Sequence, residues 1–214
     1  GAARGMDIHE SQSLLIEMQA CRSIEFLTFA SPLMQEAFRR AGPEWAPDNL
    51  YRVYTNVRPG LIRVDADEVT YPLHVILRYH LEIDLLADNL SIDDLPAAWN
   101  DGMTALLNQT PPDNRDGCLQ DIHWFDGAFG YFPSYTFGAI TAAQLFRAAI
   151  GSAPDILQQI QEGNFQPLYD WLRNHIHGNG SLLETPDLIR AATGEDLNAD
   201  IFIEHIRKRY LARI

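Results

Sequence analysis

Apolar residues recur along most of this chain at the three- and four-residue spacing of a helix face. From about Ile8 to Ala30, the positions of Leu14, Leu15, Met18, Ile24, Phe26, Leu27 and Phe29 predict one largely buried helix. Ser31 followed by Pro32 reads as its end. Serine can cap a second helix and proline can open it, where a missing N–H costs nothing; that helix is expected to reach about Arg40, before Gly42 and Pro43.

Between Leu50 and Val64 the texture changes. Tyr51, Val53, Tyr54 and Val57, then Arg58-Pro59-Gly60, then Leu61, Ile62 and Val64 predict one short β-hairpin about a turn. Asp65 with Glu68 three residues on resembles a capping box, and Val69, Leu73, Ile76, Leu77 and Leu81 form the apolar stripe of a long helix. Ser91 and Asp94 open another helix through Trp99, Met103 and Leu107, and the Pro- and Asp-rich stretch from Pro111 to Gly117 is expected to be irregular. Residues 117–138 then crowd Trp124, Phe125, Phe129, Tyr131, Phe132, Tyr135 and Phe137 among glycines, which is too aromatic for a solvated loop. The remainder returns to helices, broken at Gly151, Gly163, Gly178-Asn179-Gly180 and Gly194, with a basic last turn at Arg207-Lys208-Arg209 that suits a helix C-terminus. The class this predicts is mainly α: a multi-helix single domain over residues 1–214 with one short β-hairpin.

Composition narrows the partners. With 16 basic and 29 acidic side chains the formal charge is −13, a surface that repels phosphate backbones and anionic lipid, so neither nucleic acid nor membrane is an expected partner. No apolar run is long enough for a membrane helix and no leader pattern opens the chain, so it is expected to be cytoplasmic. Cys21 and Cys118, far apart and without C-x-x-C spacing, read as buried thiols in a reducing compartment.

Three strings place ionisable residues where the pattern around them predicts burial: His9-Glu10-Ser11-Gln12-Ser13, Ile62 to Glu68, and Gly117 to Trp124. Singly, each has a plain structural explanation: an exposed first helical turn, an Arg63–Asp67 salt bridge, a hydrogen-bonded core His123. Together they resemble the carboxypeptidase Taq family of H-E-x-x-H zinc metallocarboxypeptidases. His9-Glu10-Ser11-Gln12 is similar to the family's H-E-S-Q string, Ile62-Arg63 with Ala66-Asp67 to I-R-x-x-A-D, and Gly117 to Trp124 to G-x-x-Q-D-x-H-W. The likeness extends through Asp67 to Tyr71 and Gly130 to Tyr135 and covers nearly the whole chain.

That resemblance implies a fold and a set of roles. The fold would be the C-terminal part of a zincin-like helical metallocarboxypeptidase. Glu10 would be the third ligand of a zinc or cobalt ion, beside the two histidines of an upstream H-E-x-x-H helix. Arg63 would bind the free carboxylate of a peptide C-terminus, which a guanidinium fork can grip bidentately. His123 would hold or polarise the scissile carbonyl, Tyr131 or Tyr135 would donate to the developing oxyanion, and Asp67 and Asp121 would orient Arg63 and His123. A homodimer is implied as well.

None of the seven histidines opens an H-E-x-x-H string; after His9-Glu10 the decisive position is Ser13. The family's H-P-F and D-x-R-x-T strings are missing too, and Leu14 stands where a basic residue is expected after H-E-S-Q-S. His175 and His177, two residues apart, do not share a helix face and suggest no replacement metal site. The chain is therefore expected to be the C-terminal portion of the catalytic domain, inactive and without metal by itself. The competing readings are a non-enzymatic helical module for peptide binding or dimerisation, and complementation by a second polypeptide carrying H-E-x-x-H.

Overall fold

The structure, a computed structural model, describes residues 5–211. Among these residues ten α-helices follow in order: α1 Met6–Leu14, α2 Ile24–Phe38, α3 Pro47–Tyr54, α4 Tyr71–Leu86, α5 Leu95–Leu107, α6 Pro133–Ser152, α7 Ile156–Gln161, α8 Gln166–His175, α9 Thr185–Thr193 and α10 Ala199–Ile206. They fall into two compact units, one made of residues up to Asn56 together with those from Phe137 onward, the other of Val57–Thr136.

In the first unit, Leu15, Leu145, Ile156, Ile160, Leu168 and Leu188 lie in one apolar core, each at most 1% exposed. Each such side chain contributes roughly 1.5–3 kcal/mol of burial. The single helix expected up to Ala30 is in fact two. α1 runs into a π-helical turn, Leu15–Ala20, and α2 starts after Ser23, whose hydroxyl accepts the Phe26 N–H at 3.1 Å. Ser31 does not cap a helix: it is buried, and its hydroxyl donates to the Trp45 carbonyl at 2.6 Å. Pro32 consequently sits inside α2, where it forgoes one backbone hydrogen bond. Tertiary anchoring of Ser31 outweighs the local punctuation signal.

The expected β-hairpin is absent, and no strand occurs among the described residues. Pro47 opens α3 with Asp48 in its first turn, and Tyr51, Val53 and Tyr54 are helical despite their β propensity. The second half of the expected hairpin finds other partners for its backbone. The Arg58 N–H donates to Asp67 Oδ2 at 2.8 Å and the Arg63 N–H to Gln120 Oε1 at 2.9 Å, so these donors are satisfied by side chains and not by a strand ladder.

In the second unit, α4 packs on α5 through Leu77, Leu81, Leu95, Trp99, Met103 and Leu107. Gly102 permits the close approach: a Cβ there would stand 2.2 Å from Leu77 Cδ1. The capping box expected at Asp65 does not form, and no side chain caps the first turn of α4; Asp67 instead holds the turn that leads into it. Asp67 Oδ1 accepts the Val69 and Thr70 N–H groups at 3.0 and 2.9 Å, while Asp65 belongs to a 3₁₀ turn, Arg63–Asp65.

Candidate functional site

Helix α4 is apolar on the face toward α5, yet it also buries His74, Arg78 and Glu82, which recur every four residues and so lie in one row. Buried ionisable groups are costly unless partnered. The segment from Gly117 to Phe132 supplies the partners for two of the three. Arg78, wholly buried, donates from Nε to Asp121 Oδ2 at 2.6 Å and from Nη2 to Gln120 Oε1 at 2.8 Å, and its guanidinium carbon lies 4.5 Å from the Trp99 ring centroid. Glu82 accepts the Trp124 indole N–H at 2.7 Å and the Gly130 N–H at 2.5 Å. His74 is fully buried with no hydrogen-bond partner at either ring nitrogen.

The 3₁₀ turn beside this row carries Arg63, 5% exposed. Its Nε and Nη2 both donate to Asp121 Oδ1, at 3.0 and 2.6 Å, and its Nη1 donates to the Tyr71 hydroxyl at 2.5 Å. Three of the five N–H groups of this guanidinium are thereby used, leaving one on each terminal nitrogen. The Tyr135 ring centroid is 5.0 Å from the guanidinium carbon and the Phe132 and Tyr71 centroids 5.6 Å, so aromatic rings surround the cation.

Asp121 thus serves two arginines at once. Burial pushes its carboxyl pKa up, but the hydrogen bond from Arg63 and the charge of Arg78 outweigh that and hold it below its ordinary value. Burial pulls Arg78 down to about 10 in spite of Asp121, which leaves it charged at neutral pH. Two guanidiniums on one carboxylate leave a net positive charge in a protein whose overall charge is −13. Local charge of that sign favours an anionic ligand.

His123 stands 3.0 Å from the Tyr135 hydroxyl through Nε2, and its Nδ1 is 3.9 Å from Asp121 Oδ1. Burial and then the charge of Arg63 lower its pKa, so the ring is neutral at pH 7. Its centroid is 4.4 Å from that of Phe132 and 5.4 Å from that of Tyr131, which is in turn 5.3 Å from that of Tyr135. His123, Tyr131, Tyr135, Arg63 and Asp121 therefore form one cluster. Burial pushes the Tyr71 phenol up to about 12, against the opposing pull of Arg63, so it remains protonated.

Asp67 has no direct contact of this kind. Its oxygens hold backbone N–H groups of Arg58, Val69 and Thr70, so any hold on Arg63 passes through the start of α4, where Tyr71 accepts from that arginine. Arg78, Glu82, Tyr71 and Gln120 carry no role in the reading from sequence alone. For Arg78 and Glu82 the available signal was their four-residue spacing with His74, which puts all three on one face of α4.

Glu10, in the other unit, lies half-buried on α1, and Gly138 of α6 meets its backbone: a Cβ at Gly138 would stand 2.6 Å from Glu10 Cβ and 3.2 Å from Ser11 N. The neighbouring motif residues are tied down. Ser11, wholly buried, donates to the Ile8 carbonyl at 2.7 Å, and Gln12 bonds Ser11 Oγ at 2.9 Å and His177 Nε2 at 2.9 Å. His175 stacks on Trp171 with centroids 4.6 Å apart. Among the described residues no group of three or more His, Cys, Asp or Glu is gathered so as to hold a metal ion, and Glu10 alone falls short of the three protein ligands a catalytic zinc takes.

Comparison with known proteins agrees with the motifs. The family model described as carboxypeptidase Taq (M32) metallopeptidase matches residues 1–210. Thermostable carboxypeptidase 1 of Thermus thermophilus is 40% identical over 212 residues, covering 99% of this chain and 41% of the relative. Thermostable carboxypeptidase 1 of Pyrococcus furiosus is 38% identical over 206 residues, covering 96% of this chain and 41% of the relative. The structure of Trypanosoma cruzi metallocarboxypeptidase 1 superposes with a TM-score of 0.92 at 41% identity, over 97% of this chain and 44% of that one. The chain thus spans about two fifths of the length of the relatives it matches. With its three motif strings, its helical architecture and this match, the chain belongs to the carboxypeptidase Taq family of metallopeptidases.

Proposed function

We propose that this chain is the C-terminal part of a zinc metallocarboxypeptidase that releases single residues from peptide C-termini, and that its share of the work is recognition of the terminal carboxylate. The observation that carries this reading is the cluster around Arg63, in which two guanidiniums face one carboxylate and the free N–H groups of Arg63 remain on its terminal nitrogens. A carboxylate arriving there gains charge-assisted hydrogen bonds from a cation that Asp121 and Tyr71 already hold in place.

In the same reading His123 polarises the scissile carbonyl and Tyr131 or Tyr135 donates to the oxyanion. The Tyr135 hydroxyl, 3.0 Å from His123 Nε2, accepts from that nitrogen when the nitrogen carries the proton and donates to it when it does not. Asp121 orients both Arg63 and the neighbouring His123, and Asp67 acts through the helix start. Glu10 would complete a zinc or cobalt site with two histidines of an H-E-x-x-H helix supplied by the rest of a complete protein. The ion would supply Lewis acidity and an activated water there. Homodimerisation and a cytoplasmic location belong to this reading as well; among the described residues no helix is long and apolar enough to cross a membrane.

The test is to assay the purified chain for hydrolysis of a blocked dipeptide with zinc or cobalt added, and to measure bound metal after dialysis. No turnover and no stoichiometric metal are expected. Turnover with bound metal would overturn the division of labour proposed for Glu10.

A further inference from the structure

Glu82 is 6% exposed, and among the described residues its carboxylate has no basic partner: it accepts only from two neutral donors, the Trp124 indole and the Gly130 amide. A buried carboxylate satisfied in this way is a poor stabilising device, because an apolar side chain of similar volume would avoid the desolvation cost altogether. Its two contacts have a particular placement. Trp124 follows His123 and Gly130 precedes Tyr131, so the oxygens grip the segment next to two residues of the candidate site, one at each end. Gly130 has φ +74°, a left-handed conformation that glycine takes without strain. Between these two contacts the backbone carries short local bonds, such as Ala128 N–H to the His123 carbonyl at 2.8 Å.

We propose that Glu82 is a positioning residue: by clamping Trp124 and Gly130 to α4 it fixes the 123–131 segment, and with it the seat of His123 against Tyr135. Arg78, one turn earlier on α4, does the corresponding task for Gln120 and Asp121. The inner face of α4 thereby acts as a template onto which the whole G-x-x-Q-D-x-H-W string is registered. This inference rests on the reading of His123 and Tyr131 as site residues, but its test needs neither substrate nor turnover.

The experiment is nitrogen NMR of the His123 ring and proton NMR of the Trp124 indole in the chain and in Glu82→Gln. The amide keeps one of the two acceptor oxygens and turns an N–H against the donor that the other oxygen served. In a variant with unchanged helical circular dichroism, both His123 ring-nitrogen resonances are expected to shift and the Trp124 indole proton to lose the downfield position of a carboxylate-bound N–H. Unchanged His123 resonances in folded Glu82→Gln would overturn the proposal. Should that variant fail to fold, Trp124→Phe removes one tether and keeps the acid; a smaller His123 shift is expected, and no shift would overturn the proposal equally. Binding of a blocked dipeptide, measured on the same samples, reads the Arg63 proposal independently, so the two can fail separately.

Discussion

Arg63 and Asp121 meet side-on, with Asp121 Oδ1 3.0 Å from Arg63 Nε and 2.6 Å from Nη2, while the other carboxylate oxygen serves Arg78. Neutralising that acid leaves two buried guanidiniums facing each other. Asp121→Asn is therefore expected to destabilise the chain by about 3–5 kcal/mol, the range for breaking a buried ion pair from one side. Urea unfolding at pH 7 checks this.

The same pair makes an acid limb. The Asp121 pKa is depressed in the folded chain, so its contribution is complete above the ordinary value of 3.8 and is lost as the pH falls through the lower, folded value. Asp121→Asn should flatten the stability profile below pH 3.8 relative to the unsubstituted chain, as read from denaturant midpoints.

His74 acts in a different window. Burial, then the charges of Arg78 and Arg63, push its pKa down from 6.5 to about 4. The folded state therefore resists protonation that the unfolded state accepts, and stability, complete above pH 6.5, falls as the pH drops from there towards 4. The loss by pH 5 is about 2 kcal/mol. Replacing His74 by neutral asparagine should flatten the stability profile between pH 4 and 6.5, leaving the share of His123, whose pKa is lowered as well, whatever its effect at pH 7.

At Gly138 the expected effect is steric. Gly138→Ala would place a methyl 2.6 Å from Glu10 Cβ and against rigid backbone at Ser11 N, so α1 must move. A cost of about 1–3 kcal/mol is expected, the usual range for overpacking. Thermal unfolding measures it, and changed amide resonances at Glu10 and Ser11 would locate the strain.

Much of the helical framework was legible because apolar spacing and caps act locally: the stripe of α4, the helix through Trp99 and Met103, and the break at Gly194 all follow from residues within a turn or two. The hairpin was not, because Tyr51, Val53 and Tyr54 have β propensity but Pro47 and packing of α3 on α2 decide their conformation. Ser31 and Pro32 misled for a related reason, since the partner of Ser31 is the distant Trp45 carbonyl. At the site, the motif strings pointed to Arg63, Asp121 and His123, and these do cluster. Arg78 and Glu82 stayed hidden because their partners lie 42 to 48 residues away, a separation no local pattern reports.

The central claim, that the Arg63 cluster receives a terminal carboxylate, is tested most directly by titration calorimetry of the chain with an amino-blocked dipeptide bearing a free C-terminal carboxylate and with the same dipeptide as its amide. The free acid is predicted to bind at least about tenfold more tightly than the amide, the difference a charge-assisted hydrogen bond supplies, and Arg63→Gln should abolish the preference. Equal binding of acid and amide, or a preference that survives Arg63→Gln, would contradict the account.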